Sequence, residues 1–235
     1  MFDFNRRKAL IAGALTAAAL TLSACEGGGG ATAPAEGDMS MGNADAAVTV
    51  VEYASVTCAH CAAWNESTWP EFKRRYIDTG QVRYVFRELP TPPQEIAVAG
   101  FLLARCAGED RYFAVVDSIM RNQRAVVANP RQELLNIART AGMSEDQFNT
   151  CVTDQDAVEA LNARVEAARA AGVTGTPYFM INGQPHQDNT IEGFEAALRP
   201  LIGGQAPAAP AATGAGSEAA APATAAAPAT TPAEG

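Results

Sequence analysis

The chain has 235 residues, a formal net charge of −9, 48% hydrophobic residues and five cysteines. A chain this acidic has no electrostatic footprint for nucleic acid, so we predict no nucleic-acid partner. Both ends have an unusual composition, whereas the middle does not. The middle, about residues 44–202, remains as one domain of ordinary size.

The N-terminus has the pattern of a secretion signal: Arg6-Arg7-Lys8 precedes an apolar stretch too short to span a membrane comfortably. The stretch ends in Leu22-Ser23-Ala24-Cys25, which resembles the lipobox of bacterial lipoproteins. We therefore predict a signal peptide over residues 1–24 and lipid attachment at Cys25, on the periplasmic side of a bacterial membrane. An ordinary signal peptide, an incidental Cys25 and a soluble periplasmic protein form the alternative.

Two segments beside the domain have low-complexity composition. Residues 25–43 are rich in Gly, Ala, Met, Ser and Pro, which predicts a flexible tether. Residues 203–235 are mainly Ala, Pro, Thr and Gly, which predicts a disordered tail.

The domain mixes short β-branched runs with helical segments. In chain order we predict a buried strand over 47–53, a helix from about 58 to 79 that Pro70 kinks or ends, an alternating strand over 81–88, four or five helices between about 94 and 171, a strand over 178–181, a tight turn at Asn182-Gly183 and a helix over 191–202. The initial strand–helix–strand unit predicts a parallel crossover, so the fold class is α/β with a helical insertion packed on the sheet.

The motif Cys58-Ala59-His60-Cys61 follows the first strand at the predicted start of a helix. Free helix N–H groups and the helix dipole stabilise negative charge there, which predicts a low pKa and high reactivity for the Cys58 thiol. His60 can add a positive charge or a donor near that sulfur. Cys61 lies one turn along, where it can close a small redox-active disulfide with Cys58.

Other uses of two cysteines at this spacing are less compatible with the sequence. A structural zinc site needs a second ligand pair at similar spacing, but Cys106 and Cys151 are far apart. Covalent haem attachment needs a histidine directly after the second cysteine, where this chain has Ala62. We predict no metal and no organic cofactor, and an inert structural disulfide within the motif stays open.

If Cys25 carries lipid, Cys106 and Cys151 are the two cysteines outside the motif. In an oxidising compartment we predict that they pair and clamp the helical insertion. Two separately buried thiols are the alternative.

Several motifs together resemble the DsbA-like thioredoxin-fold proteins over roughly residues 42–202. They are Gly42-Asn43 through Tyr53, Cys58-Ala59-His60-Cys61, Arg87-Glu88-Leu89-Pro90 and Thr174-Gly175-Thr176-Pro177. The resemblance implies a thioredoxin fold with a helical insert. The best-known oxidases of that family carry Pro-His between the cysteines, whereas this chain carries Ala-His, which leaves its redox potential open.

The resemblance also assigns roles to single residues. Cys58 would be the attacking cysteine and Cys61 the resolving one, and Pro177 would be a cis-proline facing them, with Thr176 beside it shaping substrate contact. Glu52 matches an acidic position thought to assist proton transfer. Because it lies within an apolar strand, we expect burial to raise its pKa. A trans Pro177 and a water-facing Glu52 are the alternatives.

These features predict a thiol–disulfide oxidoreductase that acts on exported proteins, as a dithiol oxidase. Its partners would be reduced or misoxidised client proteins and a membrane redox partner that reoxidises it. We see no dimerisation segment and expect a monomer. A disulfide reductase or isomerase is one alternative, and a non-catalytic thioredoxin-fold chaperone or binding lipoprotein is another.

Overall fold

The structure is a computed structural model that describes Ala35 and residues 37–203. The predicted signal peptide, the predicted lipidation site Cys25, the first part of the predicted tether and the tail beyond Gly203 lie outside the described residues. In the described part, no helix is both long and apolar enough to cross a membrane.

A five-stranded mixed sheet forms the centre of the domain. Its strands are β1 (Met39–Met41), β2 (Val48–Ala54), β3 (Val82–Glu88), β4 (Tyr178–Ile181) and β5 (Gln184–His186). They lie in the order β1-β3-β2-β4-β5, and β2 and β3 are parallel while the other neighbours are antiparallel. Adjacent residues of β2 such as Val50 and Val51 are both fully buried, so both faces of this central strand are covered.

Nine α-helices surround the sheet in the described residues. They are α1 (Ala59–Ser67), α2 (Trp69–Phe72), α3 (Gln94–Cys106), α4 (Glu109–Arg121), α5 (Gln123–Ala128), α6 (Pro130–Thr140), α7 (Glu145–Val152), α8 (Gln155–Ala170) and α9 (Ile191–Leu198). A π-helical turn (Lys73–Ile77) extends α2. Pro70 lies in the first turn of α2, where the backbone N–H that proline lacks would have no partner within the helix. The α/β architecture with a helical insertion is confirmed.

Two predictions about the helices differ from the structure. The insertion contains six helices rather than four or five, because Asn122 and Asn129 interrupt it and Pro130 starts a new helix. The last helix ends at Leu198 rather than at 202, since Pro200 has no N–H to continue the helical hydrogen bonds.

Strand β1 lies within the segment predicted as a tether, so ordered structure begins before residue 44. Met39 of β1 is buried opposite Phe86 of β3. Next to the strand, Asp38 forms a bidentate pair with Arg87, with N–O distances of 3.0 and 2.8 Å. This ion pair and one buried side chain hold a segment whose composition alone indicates no structure.

The carboxylate of Glu88, at the end of β3, joins the sheet to the insertion. Its side chain is fully buried and receives Arg105 Nε of α3 at 2.6 Å and Arg164 Nη2 of α8 at 2.9 Å. The Tyr112 hydroxyl of α4 donates to the same carboxylate at 3.1 Å. One buried anion is thus satisfied by three helices of the insertion, α3, α4 and α8.

A disulfide between Cys106 and Cys151 links the end of α3 to α7, with Cα atoms 6.0 Å apart. It closes a loop of 45 residues in sequence separation. In the chain-entropy model such a loop contributes about 4 kcal/mol to stability. The disulfide therefore links two helices of the insertion to each other. Both of its cysteines lie far from the redox motif in sequence.

Replacing Glu88 with Ala should destabilise the domain by about 3–5 kcal/mol, because it leaves two partly buried arginines without their counter-ion. Urea unfolding of the full chain measures this. Glu145→Ala is the matched control, since Glu145 also pairs with two arginines, Arg131 and Arg139, but lies exposed to solvent. Similar losses for the two variants would contradict a special role of the buried site.

Candidate active site

Cys58 occupies the N-cap position of α1, directly after the loop that leaves β2. Its backbone is extended (φ −79°, ψ 120°), and its Sγ accepts a hydrogen bond from the Cys61 backbone N–H at 3.4 Å. The side chain is half-buried, and both Cys58 and Cys61 are free thiols in this structure. The reactive position predicted from the motif is therefore at the first turn of a helix, open on one side.

Donors around the sulfur lower the pKa of Cys58 to about 5. The largest contribution is the hydrogen bond from the Cys61 thiol, which burial opposes. Hydrogen bonds from Thr176 and from the backbone N–H groups of Cys61 and His60 also lower the pKa. The His60 imidazole itself is exposed, and the contact that this residue makes with Cys58 is through its backbone. Cys58 is consequently a thiolate at neutral pH.

Cys61 has the opposite character one turn further along α1. Its side chain is completely buried, and burial is the largest cause that raises its pKa, followed by the hydrogen bond to Cys58 and the charge of Glu52. A buried thiol that stays protonated is a poor nucleophile toward a large substrate. The two sulfurs thus differ in both access and charge.

Strand β4 brings a second loop against Cys58. The Thr176–Pro177 peptide bond is cis, and the Cys58 Sγ lies 3.4 Å from the Thr176 carbonyl oxygen, although 118 residues separate them in sequence. The pairing of β4 with β2, in which Tyr178 lies opposite Tyr53, produces this contact. The structure therefore places Thr176 and Pro177 beside the redox pair.

Glu52 lies on β2 beneath the redox pair, with 2% of its surface exposed. The Tyr84 hydroxyl of β3 donates a hydrogen bond to Glu52 Oε2. Burial raises the pKa of Glu52 to about 8, against the lowering effect of Tyr84 and with a further rise from the Cys58 charge. Glu52 is therefore mainly a neutral acid at pH 7, close enough to the two cysteines to interact with them electrostatically.

A cluster of small polar residues that the motif analysis missed fixes the loop before Cys58. The Thr57 hydroxyl donates to the Thr91 carbonyl at 2.7 Å, and Ser55 Oγ accepts from the Thr91 N–H at 3.1 Å. The Thr91 loop is followed by the cis Pro92–Pro93 bond, so a second proline-containing loop supports the redox loop from the side of α3. No local pattern in the sequence indicates this contact.

The described residues contain no group of three or more His, Cys, Asp or Glu side chains that could hold a metal ion. The groups that the site offers for chemistry are two sulfurs, a neutral carboxylic acid and backbone donors.

Comparison with known proteins gives consistent matches. A family model described as Thioredoxin matches residues 34–199. A Rickettsia bellii protein, provisionally named a protein-disulfide oxidoreductase, is 35% identical over 171 residues, which are 71% of this chain and 65% of that protein. A Rickettsia typhi protein with the same description is 34% identical over 68% of this chain and 60% of its own length. The chain thus spans somewhat less than two thirds of the length of these relatives.

Among solved structures, the crystal structure of Wolbachia pipientis alpha-DsbA1 is similar, with a TM-score of 0.67 and 26% identity. The match covers 72% of this chain and 93% of that protein. The residues that the family model matches include the redox motif, the helical insertion and the Thr176–Pro177 loop.

In the native reduced protein, iodoacetamide should modify Cys58 and leave Cys61 untouched, because only an accessible thiolate reacts quickly. The rate should rise with pH and reach half its maximum near the Cys58 pKa of about 5. Mass spectrometry of the alkylated protein measures both results.

Cys61→Ala is the informative variant, because it removes the hydrogen bond that contributes most to lowering the Cys58 pKa. The midpoint of its alkylation rate against pH should therefore move to higher pH. A wild-type midpoint near pH 8.5, the value of an ordinary thiol, would contradict the assignment of a stabilised thiolate.

Proposed function

The chain belongs to the thioredoxin family, and we propose that it is a thiol–disulfide oxidoreductase that introduces disulfides into other proteins through Cys58 and Cys61. The observation that carries this proposal is the difference in pKa between the two cysteines. The pKa of Cys58 is lowered to about 5, whereas burial raises the pKa of Cys61. In such a pair, Cys58 can form a mixed disulfide with a client, and Cys61 can serve as the leaving thiol.

The proposed reaction begins with the Cys58–Cys61 disulfide. A client thiolate attacks Cys58 Sγ, forms a mixed disulfide and expels the Cys61 thiolate, which takes up a proton. A second client thiolate then attacks the client sulfur of the mixed disulfide and expels Cys58 as a thiolate. The client loses two electrons and gains a disulfide, and the protein is reduced to its dithiol form.

The direction of the reaction follows from the stability of the Cys58 thiolate. A stable thiolate is a good leaving group, and it lowers the free energy of the reduced protein relative to the disulfide. Each pKa unit below the ambient pH is worth about 1.4 kcal/mol, or about 30 mV for this two-electron couple. The site therefore favours oxidation of clients over their reduction.

We propose that Thr176 and Pro177 contact the client chain next to its cysteine. Support comes from the 3.4 Å approach of the Thr176 carbonyl to Cys58 Sγ, which puts this loop beside any incoming sulfur. Thr176 and Tyr178 on either side of Pro177 are both only partly buried, so this loop is open to a bound polypeptide.

We propose that the clients are exported proteins, that Cys25 carries a lipid on the periplasmic side of a bacterial membrane, and that a membrane redox partner reoxidises the dithiol. The N-terminal sequence pattern supports the first two statements. The stoichiometry requires a reoxidant, because each turnover leaves two electrons on Cys58 and Cys61, and we propose that this reoxidant lies in the membrane. Cell fractionation of a Cys25→Ser variant tests the anchor: a variant that stays with the membrane at unchanged mature mass contradicts it.

The reduction potential of the Cys58–Cys61 couple tests the direction of electron flow. Equilibration of the domain with glutathione buffers, followed by alkylation to count free thiols, should give a potential less negative than roughly −200 mV. A potential near −270 mV, as in thioredoxin, would contradict the oxidase and favour the reductase or isomerase. A Cys58→Ala variant that keeps full biological activity would instead favour the non-catalytic chaperone.

We also propose that Glu52 supplies the proton that the Cys61 thiolate needs when the client attacks. Glu52→Gln should slow oxidation of a reduced client at pH 7 by about 10–100-fold, since the amide donates no proton. Because the Glu52 pKa is about 8, wild-type Glu52 loses its proton above that pH, and the two rates should converge there. The ratio of variant to wild-type rate across pH 6–9 is the measurement.

Glu66→Gln is the matched control, because Glu66 follows Cys61 on α1 but is exposed to solvent. Its rate ratio should stay near one at every pH. A Glu52→Gln ratio that does not vary with pH would exclude proton transfer by Glu52.

A further inference from the structure

Gln123, the first residue of α5, makes two hydrogen bonds to the loop that precedes α1. Its Nε2 donates to the Val56 carbonyl at 2.9 Å and to the Cys58 carbonyl at 3.0 Å. We propose that Gln123 is a positioning residue through which the helical insertion holds Cys58 in its N-cap conformation. The proposal rests on the function proposed above for Cys58 as the attacking thiolate.

The chemistry of the amide suits this contact. A glutamine nitrogen carries two N–H groups, and the two carbonyl oxygens of Val56 and Cys58 can each accept one of them. The Cys58 oxygen also accepts from the Ala62 N–H at 3.0 Å, which is the first hydrogen bond inside α1. Gln123 therefore hydrogen-bonds the same Cys58 carbonyl oxygen that accepts the first hydrogen bond of α1.

The loop is held from two sides. Thr57 and Ser55 tie it to Thr91, as described above, and Gln123 ties it to the insertion on the other side. Among the described residues of the insertion, Gln123 is the one whose side chain hydrogen-bonds this loop. Gln123 is itself only partly buried. Its N–H donors therefore serve the hydrogen bonds to the loop and do not satisfy a polar group inside the core.

Loss of this contact should act on the sulfur through the backbone. The N-cap geometry keeps Cys58 Sγ 3.4 Å from the Cys61 N–H, and a relaxed loop would lengthen that bond. The ionisable groups that act on Cys58 are Cys61 of α1 and Glu52 of β2, and Gln123 adds no charge to them. A change in the Cys58 pKa on replacing Gln123 with a neutral residue therefore reports geometry and donor supply.

The test is a pH titration of the Cys58 thiolate absorbance in the reduced full chain, with thermal melting recorded for each variant. Gln123→Met keeps the length of the side chain and removes its donors, and it should raise the Cys58 pKa by about one unit. The reduction potential should fall by about 30 mV for each unit. Gln123→Glu should raise the pKa further, because a carboxylate repels both carbonyls and the thiolate. Gln123→Lys, which restores N–H donors, should return it toward the wild-type value.

Gln132→Met is the matched control. Gln132 is an exposed glutamine of α6 whose Nε2 donates to Asn136 at 3.0 Å, away from the redox loop. This variant should titrate like the wild type.

A Gln123→Met variant that titrates at the wild-type pKa, whether or not its melting temperature falls, overturns the proposal and leaves Gln123 a packing role. If that variant does not fold, the equally neutral Gln123→Leu takes its place, and a wild-type Cys58 pKa in that variant overturns the proposal instead. The titration needs no client, so it stands even if the reduction potential shows that the wild-type protein is not an oxidase.

Discussion

The first turn of α1 stabilises a negative charge on Cys58, and the rest of the site depends on that interaction. A thiolate at an N-cap needs free N–H groups that point at it, and these exist only where a helix begins. For this reason β2 must end just before the motif, the loop must present Cys58 rather than Cys61 at the cap, and the next turn must enter the core. The same turn that stabilises one sulfur buries the other, so a single helix start yields two thiols of opposite reactivity.

Burial also determines what the carboxylates do. Glu52 and Glu88 have the same side chain and are equally buried, on neighbouring strands. Glu88 meets two guanidinium groups and a hydroxyl, so its charge is compensated and it becomes a structural anchor. Among the described residues, Glu52 meets one tyrosine hydroxyl and no cation, so its charged form is disfavoured and it can hold a proton at neutral pH. The partners rather than the residue type separate a structural acid from one suited to proton transfer.

The helical insertion is bound to the sheet at one end and to the redox loop at another. Glu88 attaches α3, α4 and α8 to β3, and the Cys106–Cys151 disulfide fixes α3 to α7 within the insertion. The start of α5 follows directly after α4, one of the helices that Glu88 attaches to the sheet. Gln123 can then act as a fixed donor, which a side chain on a loosely attached helix could not do. The insertion thus packs on the sheet and also contributes a side-chain contact to the loop that carries Cys58.

The sequence by itself determined the features that depend on near neighbours in the chain. The spacing of Cys58 and Cys61 at a helix start, the β-branched run of β2 and the Asn182-Gly183 turn, with φ values of 45° and 82°, all follow from local sterics and hydrogen bonding. The tertiary structure alone decided the contacts between distant segments: Thr176 beside Cys58, Tyr84 on Glu52, Arg87 holding Asp38 next to β1, and Gln123 on the redox loop. The pairing of Cys106 with Cys151 was predicted from the number of cysteines and the compartment, but only the packing of α3 and α7 brings the two residues together. Such contacts depend on how strands and helices are ordered in space, and a single polar residue carries no periodic signal that names its partner a hundred residues away.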